Sequence, residues 1–187
     1  MRPAVFLDRD GTLNEDVGHL DRLERLTLFP FAIDAVRLLH QAGFAVVVVT
    51  NQGGIAKGLV DESFVTDLHL RLTERFAAGG GVIERFYHCP HDPLATVPAY
   101  RRDCDCQKPG PGMVRQAASE LGLDPTRSFV VGDKWSDIGL ARNVGATGIL
   151  VRTGYGVTQE RMADTNGLLV TDDLMSATVH MLAEADR

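Results

Sequence analysis

The chain has 187 residues, 44% of them hydrophobic and 24% charged, the balance of a soluble globular protein long enough to bury a core as one domain, or one domain with a small insertion. Its net charge of -6 argues against nucleic acid or an anionic membrane as the main partner, so a phosphorylated ligand would need a local positive pocket. No run approaches the roughly 20 apolar residues that cross a bilayer, and Met1-Arg2-Pro3 opens no secretory signal, so a cytosolic protein is expected.

Strand-like and helix-like segments alternate along the chain. Ala4 to Leu7 is a short apolar run that ends in acidic residues. Residues 30–42 read as a helix, with Pro30 near its start, Ile33, Val36 and Leu39 at helical spacing, and Gly43 as its stop. Phe44 to Val49 is a continuous, mostly β-branched run, the pattern of a strand buried on both faces. Residues 62–77 read as an amphipathic helix, with Phe64, Leu68, Leu72 and Phe76 four apart, closed by Gly79-Gly80-Gly81. A third strand is expected over 82–87, an irregular loop over 89–112 and a helix over 113–121. A fourth strand over 128–131, a helix over 135–144 and a fifth strand over 148–151 follow. A closing strand at 168–170 and a helix from about Asp172 complete the series. Such alternation implies a parallel sheet with helices on both faces, and ligands in such sheets bind outside the carboxyl ends of the strands.

Three of those strand ends carry reactive side chains. Asp8-Arg9-Asp10-Gly11-Thr12 follows the first strand, Thr50-Asn51 the second and Gly132-Asp133 the fourth. Two carboxylates two residues apart can share one side of a turn that Gly11 allows to bend. One can attack phosphorus as a nucleophile. The other can protonate the leaving oxygen and later take a proton from water. A divalent cation would offset the repulsion between carboxylate and phosphate.

The three cysteines, Cys89, Cys104 and Cys106, lie within eighteen residues of one another. An odd count, clustered, in a chain expected to be cytosolic points to a metal rather than to disulfides. With one histidine they would make a closed Cys₃His set suited to structural zinc, and both His88 and His91 stand close enough to serve. A rigid metal staple would also account for a loop of some two dozen residues in a compact chain.

In this order the motifs resemble those of the haloacid-dehalogenase-like (HAD) superfamily: DRDGTL first, Thr50-Asn51 second, Lys108-Pro109 third, and Gly132-Asp133 with Asp137 fourth. The resemblance runs over about residues 3–154. It implies a Rossmann-like HAD fold without a large cap domain, formed by residues 1–187 as a single domain with a zinc-binding loop at about 89–107. It also implies Asp8 as nucleophile, Asp10 as general acid and base, and Thr50, the Asn51 backbone and Lys108 as holders of the phosphoryl oxygens. Magnesium would be bound by Asp8, the Asp10 carbonyl and Asp133. Asp137 is expected to support this set rather than ligate. The family pattern selects Cys89, His91, Cys104 and Cys106 as the zinc ligands.

CPHDP, CDCQKPGPGM and VVGDKWSD together resemble the D-glycero-D-manno-heptose 1,7-bisphosphate phosphatases. The related histidinol phosphatases have a shorter segment between the His and the CxC pair than the twelve residues here. The resemblance implies a substrate-facing flap of Asp16, Val17, Gly18 and His19, with Gln52, Gly53, Gln107 and Lys134 completing the pocket. It also implies a small phosphorylated sugar as the substrate, and a monomer is expected because the sequence shows no obvious exposed apolar patch. One position departs: the family commonly reads CRKP where this chain has Cys106-Gln107-Lys108-Pro109, and Gln cannot clamp a distal phosphate as Arg does. Histidinol phosphate, or a broader range of small sugar phosphates, therefore stays open as the substrate. A non-enzymatic phosphate-binding scaffold would lack one of the reacting groups, and all of them are present.

Overall fold

The computed structural model describes residues 1–163, 165 and 167–185. Six parallel strands form one sheet in the order β3-β2-β1-β4-β5-β6. They are β1 Ala4–Leu7, β2 Ala45–Asn51, β3 Arg85–Cys89, β4 Phe129–Gly132, β5 Thr147–Val151 and β6 Leu169–Thr171. The helices are α1 Ala32–Gln41, α2 Gly53–Ala56, α3 Glu62–Ala78, α4 Gly112–Leu121, α5 Trp135–Val144, α6 Gly156–Met162 and α7 Leu174–Ala185.

The central strands read as unbroken apolar runs because both faces of the sheet are covered. On one face, Val5, Leu7, Val46, Val48 and Val131 pack against Leu39 of α1, Leu68, Leu72 and Phe76 of α3, and Leu174 and Met181 of α7. On the other, Phe6, Val47, Val49 and Val130 meet Met113, Val114 and Ala117 of α4 and Leu140 and Ala141 of α5. All of these side chains are buried.

The expected alternation of strands and helices is present, with three differences. The third strand begins at Arg85 rather than at residue 82, because its register is set by β2, from Val47 opposite Arg85 to Asn51 opposite Cys89. Residues 82–84 lead into it, with the Glu84 amide donating to the Val46 carbonyl. Helices α2 and α6 were not expected: α2 is too short to show a period, and Gly156 is the only buried residue of α6. The last helix starts at Leu174, where Asp173 caps it by accepting the Ser176 amide at 2.8 Å.

Strand order reverses direction on either side of β1 and β4, which are neighbours in register from Val5 opposite Phe129 to Leu7 opposite Val131. Chains leaving their carboxyl ends depart to opposite faces and leave a crevice between them. Asp8 follows β1 directly and Asp133 follows β4, so the topology sets these two carboxylates side by side. Gly11 makes that approach possible: at φ +88° its Cβ would stand 2.3 Å from Asp133 Oδ2. Among the described residues, no helix is long and apolar enough to cross a membrane.

Candidate active site

A cavity of about 200 Å³ opens at this crevice, bounded by Asp8, Asp10, Thr50, Lys108 and Lys134, with Asp16 and His19 on the flap side. At its floor the Lys108 ammonium is buried, donates to Val49 O (2.9 Å) and pairs with Asp8 Oδ1 (2.9 Å) and Asp137 Oδ1 (2.6 Å). Burial works against the charge on Lys108, but the Asp137 and Asp8 carboxylates outweigh it and hold its pKa above the ordinary lysine value. Its backbone is fixed as well, because the Asn51 side chain accepts the Lys108 amide (2.9 Å) and donates to the Lys108 carbonyl (3.2 Å).

Asp8 Oδ1 carries this ammonium and also accepts the Arg9 amide at 2.7 Å, while Oδ2 takes no hydrogen bond among the described residues. Asp133 is fully buried; its Oδ2 accepts the Tyr155 amide at 2.8 Å and its Oδ1 has no hydrogen-bond partner among the described residues. Burial, and then the negative charge of Asp8, push Asp133 up to about 7. Asp137 sits in the first turn of α5 with both oxygens engaged, Oδ1 by Lys108 and Oδ2 by the Lys134 amide at 3.1 Å. One oxygen from each of Asp8, Asp133 and Asp137 falls within 4.8 Å of the others. Four carboxylates (Asp8, Asp16, Asp133, Asp137) here face two ammonium groups (Lys108, Lys134), an excess of two negative charges. That excess, next to the unpartnered Asp133 Oδ1, fits a hard divalent cation with oxygen ligands.

Asp10 is arranged differently. Its carboxylate accepts from Arg9 Nη2 (2.7 Å), Asn14 Nδ2 (2.9 Å) and Gln52 Nε2 (3.0 Å). Burial pushes Asp10 up, but Arg9, with the Asn14 and Gln52 donors, outweighs it and holds the carboxyl below its usual range. Arg9 is itself buried, and its Nη1 lies 3.1 Å from His69 Nε2. His69 stacks on Phe86 at 4.6 Å, and burial, followed by the Arg9 charge, pushes its pKa down to about 2. Neutral His69 therefore accepts from the guanidinium that holds Asp10.

A second cluster lies beside β3. Cys89 Sγ is 3.5 Å from Cys104 Sγ and 3.8 Å from His91 Nδ1, Cys104 Sγ is 3.1 Å from Cys106 Sγ, and His91 Nδ1 is 3.2 Å from Cys106 Sγ. Converging donors at these separations fit a tetrahedral ion with three thiolates and one imidazole. His88 is outside the set, with its Nε2 3.1 Å from Glu62 Oε1.

Of the residues singled out in the sequence, Asp8, Asp10, Asp16, Gly18, His19, Thr50, Asn51, Gln52, Gly53, Lys108 and Lys134 border the cavity, and Asp133 stands behind it. Two expected pocket residues do not. Val17 is partly buried and packs against the core, and Gln107 sits in a tight turn where its carbonyl accepts the Gly110 amide. Sequence reasoning missed Gly54 and Ser136 on the cavity wall, and Arg9, Asn14 and His69 behind Asp10. Arg9 lay inside the first motif and could have been weighed as a counter-ion, whereas no local pattern marks His69 in the middle of α3.

A family model described as HAD-hydrolase-like matches residues 105–177. The chain is 43% identical over 169 residues to D-glycero-beta-D-manno-heptose-1,7-bisphosphate 7-phosphatase of Yersinia pestis, covering 89% of each chain. It is 46% identical over 159 residues to the corresponding enzyme of Thermosynechococcus vestitus, covering 83% of this chain and 81% of that one. A crystal structure of D,D-heptose 1,7-bisphosphate phosphatase from B. bronchiseptica, complexed with magnesium and phosphate, matches with a TM-score of 0.87 at 32% identity, over 98% of this chain and 99% of that one.

The His69 environment predicts a pH effect on stability. Below about pH 6.5 the unfolded chain takes up a proton that the folded His69 refuses, so stability falls as the pH drops from there. Urea unfolding between pH 7 and pH 4.5 should show a shallower loss in His69→Gln than in the wild type, by about one proton; parallel curves would mean that His69 is not held neutral.

Proposed function

The chain belongs to the family of D-glycero-D-manno-heptose-1,7-bisphosphate 7-phosphatases among the HAD-like hydrolases, and we propose on that premise that it releases the 7-phosphate of a heptose 1,7-bisphosphate through an aspartyl-phosphate formed on Asp8. The observation that carries this reading is the asymmetry of Asp8: one oxygen is pinned by Lys108 and the Arg9 amide, and the other takes no hydrogen bond among the described residues.

In the first step an Asp8 oxygen attacks phosphorus, a bond from Asp8 to phosphorus forms, and the ester P–O bond to the sugar breaks. Lys108 keeps the carboxylate oriented and lends positive charge to the transferring group, whose reaction depends on positioning and charge stabilisation. Thr50, buried at the end of β2, and the Asn51 amide orient the phosphoryl oxygens. Asp10 gives the leaving sugar oxygen its proton. Asp10 rests ionised under Arg9, so it takes up that proton when the substrate's negative charge arrives beside it and raises its pKa. In the second step water returns a proton to Asp10, the water oxygen attacks phosphorus, and the bond to Asp8 breaks. Phosphate and the Asp8 carboxylate are released. Asp8, the Asp10 carbonyl and Asp133 would hold magnesium, which would supply the charge that offsets the repulsion between carboxylate and phosphate.

Zinc held by Cys89, His91, Cys104 and Cys106 would brace the loop that ends at Lys108, two residues after its last ligand. A site built on three reduced thiols would fit a cytoplasmic protein.

Two measurements test this reading. With magnesium present, kcat/KM for heptose 1,7-bisphosphate should exceed that for histidinol phosphate and fructose 1,6-bisphosphate by a large factor; equal or better turnover of histidinol phosphate would reassign the substrate. The purified protein should carry about one zinc per chain. Cys104→Ser should lose it and unfold at a lower urea concentration, whereas a zinc-free wild type of the same stability would remove zinc from the account.

A further inference from the structure

We propose that Lys57, together with His19, forms the subsite for the phosphate that is not transferred; this inference rests on the bisphosphate reading above. A substrate with two phosphates needs a second anion site, and the position that commonly carries Arg in the family is Gln107, which is uncharged and does not border the cavity. The other cations near the cavity have partners. Lys108 is engaged by Asp8, Asp137 and Val49 O. Lys134 holds Asp16 at 2.8 Å. Arg9 is paired with Asp10. Arg25 holds Asp21 and the carbonyls of His19 and Val17. In the loop, Arg101 donates to Ala95 O at 2.7 Å and Arg102 lies against the His91 ring.

Lys57 differs from these in that its polar contact, His19, itself borders the cavity. Among the described residues its ammonium has no acidic partner, and its nearest polar contact is His19 Nε2 at 3.4 Å. His19 borders the cavity, so this pair stands at its rim. The placement is built into the fold. His19 packs on Gly54, where a Cβ would come within 3.3 Å of Nδ1. Lys57 follows α2 directly, with its amide donating to Gly53 O. The Val97 amide ties Ala56 O to the loop between His91 and Cys104 at 2.9 Å. An exposed ammonium beside an imidazole, both able to donate, suits a sugar phosphate dianion at the far end of a cavity whose floor takes the other phosphate.

The test measures kcat and KM of the wild type, Lys57→Met and Lys57→Arg on heptose 1,7-bisphosphate and on heptose 7-phosphate, which lacks the distal group. In Lys57→Met the preference for the bisphosphate should shrink by about tenfold or more, through KM, as expected for a lost charge-assisted contact. Lys57→Arg should restore most of it. An unchanged preference in Lys57→Met would overturn the subsite. A wild type that turns over both substrates equally would instead overturn the bisphosphate reading, and the subsite with it.

Discussion

Lys108, buried at the carboxyl end of the sheet, joins three parts of the chain through one ammonium group. Asp8 arrives from β1, Val49 from β2 and Asp137 from α5, all within 3 Å of its nitrogen. Losing one partner of such a buried pair costs about 3–5 kcal/mol, because the other charge is stranded. The group therefore fixes the geometry of the site as well as its charge. The Asn51 side chain holds its backbone on both sides, and the loop bearing the Cys and His cluster delivers it from the opposite direction.

The two carboxylates of the first motif sit two residues apart in different electrostatic surroundings. Asp8 shares its neighbourhood with Asp133 and Asp137, an environment with more negative than positive charge that favours a divalent cation. Asp10 is paired with a buried guanidinium, and a neutral histidine accepts from that guanidinium in turn. The proposed division of labour between nucleophile and proton carrier follows from these surroundings. Environments that separate the protonation behaviour of neighbouring acids are how acid and base roles are assigned at neutral pH.

Much of this was legible in the sequence. Apolar runs ending in Asp8, Thr50 and Asp133 mark strands buried on both faces, and the parallel topology gathers their ends at one edge of the sheet. The four residues of the Cys and His cluster were legible from clustering and family pattern, and the structure separates His91 from His88. What escaped depends on contacts between segments distant in sequence. His69 meets Arg9 across sixty residues, and its helix shows only an ordinary amphipathic period. The start of β3 depends on register with β2 rather than on its own residues. Val17 and Gln107 were assigned to the pocket by position in a motif and neither borders the cavity, and motif position carries no information about which way a side chain faces. Lys57 was only one of several nearby cations in the sequence, and the partners of the others set it apart.

The central claim is that Asp8 carries the phosphoryl group. The most direct measurement is to quench the protein in borohydride during turnover and map the reduced residue by mass spectrometry, since borohydride reduces an acyl phosphate and spares a free carboxylate. The account predicts homoserine at position 8 and unmodified Asp10. Reduction at Asp10, or no reduction at either residue under conditions where phosphate is being released, would contradict it.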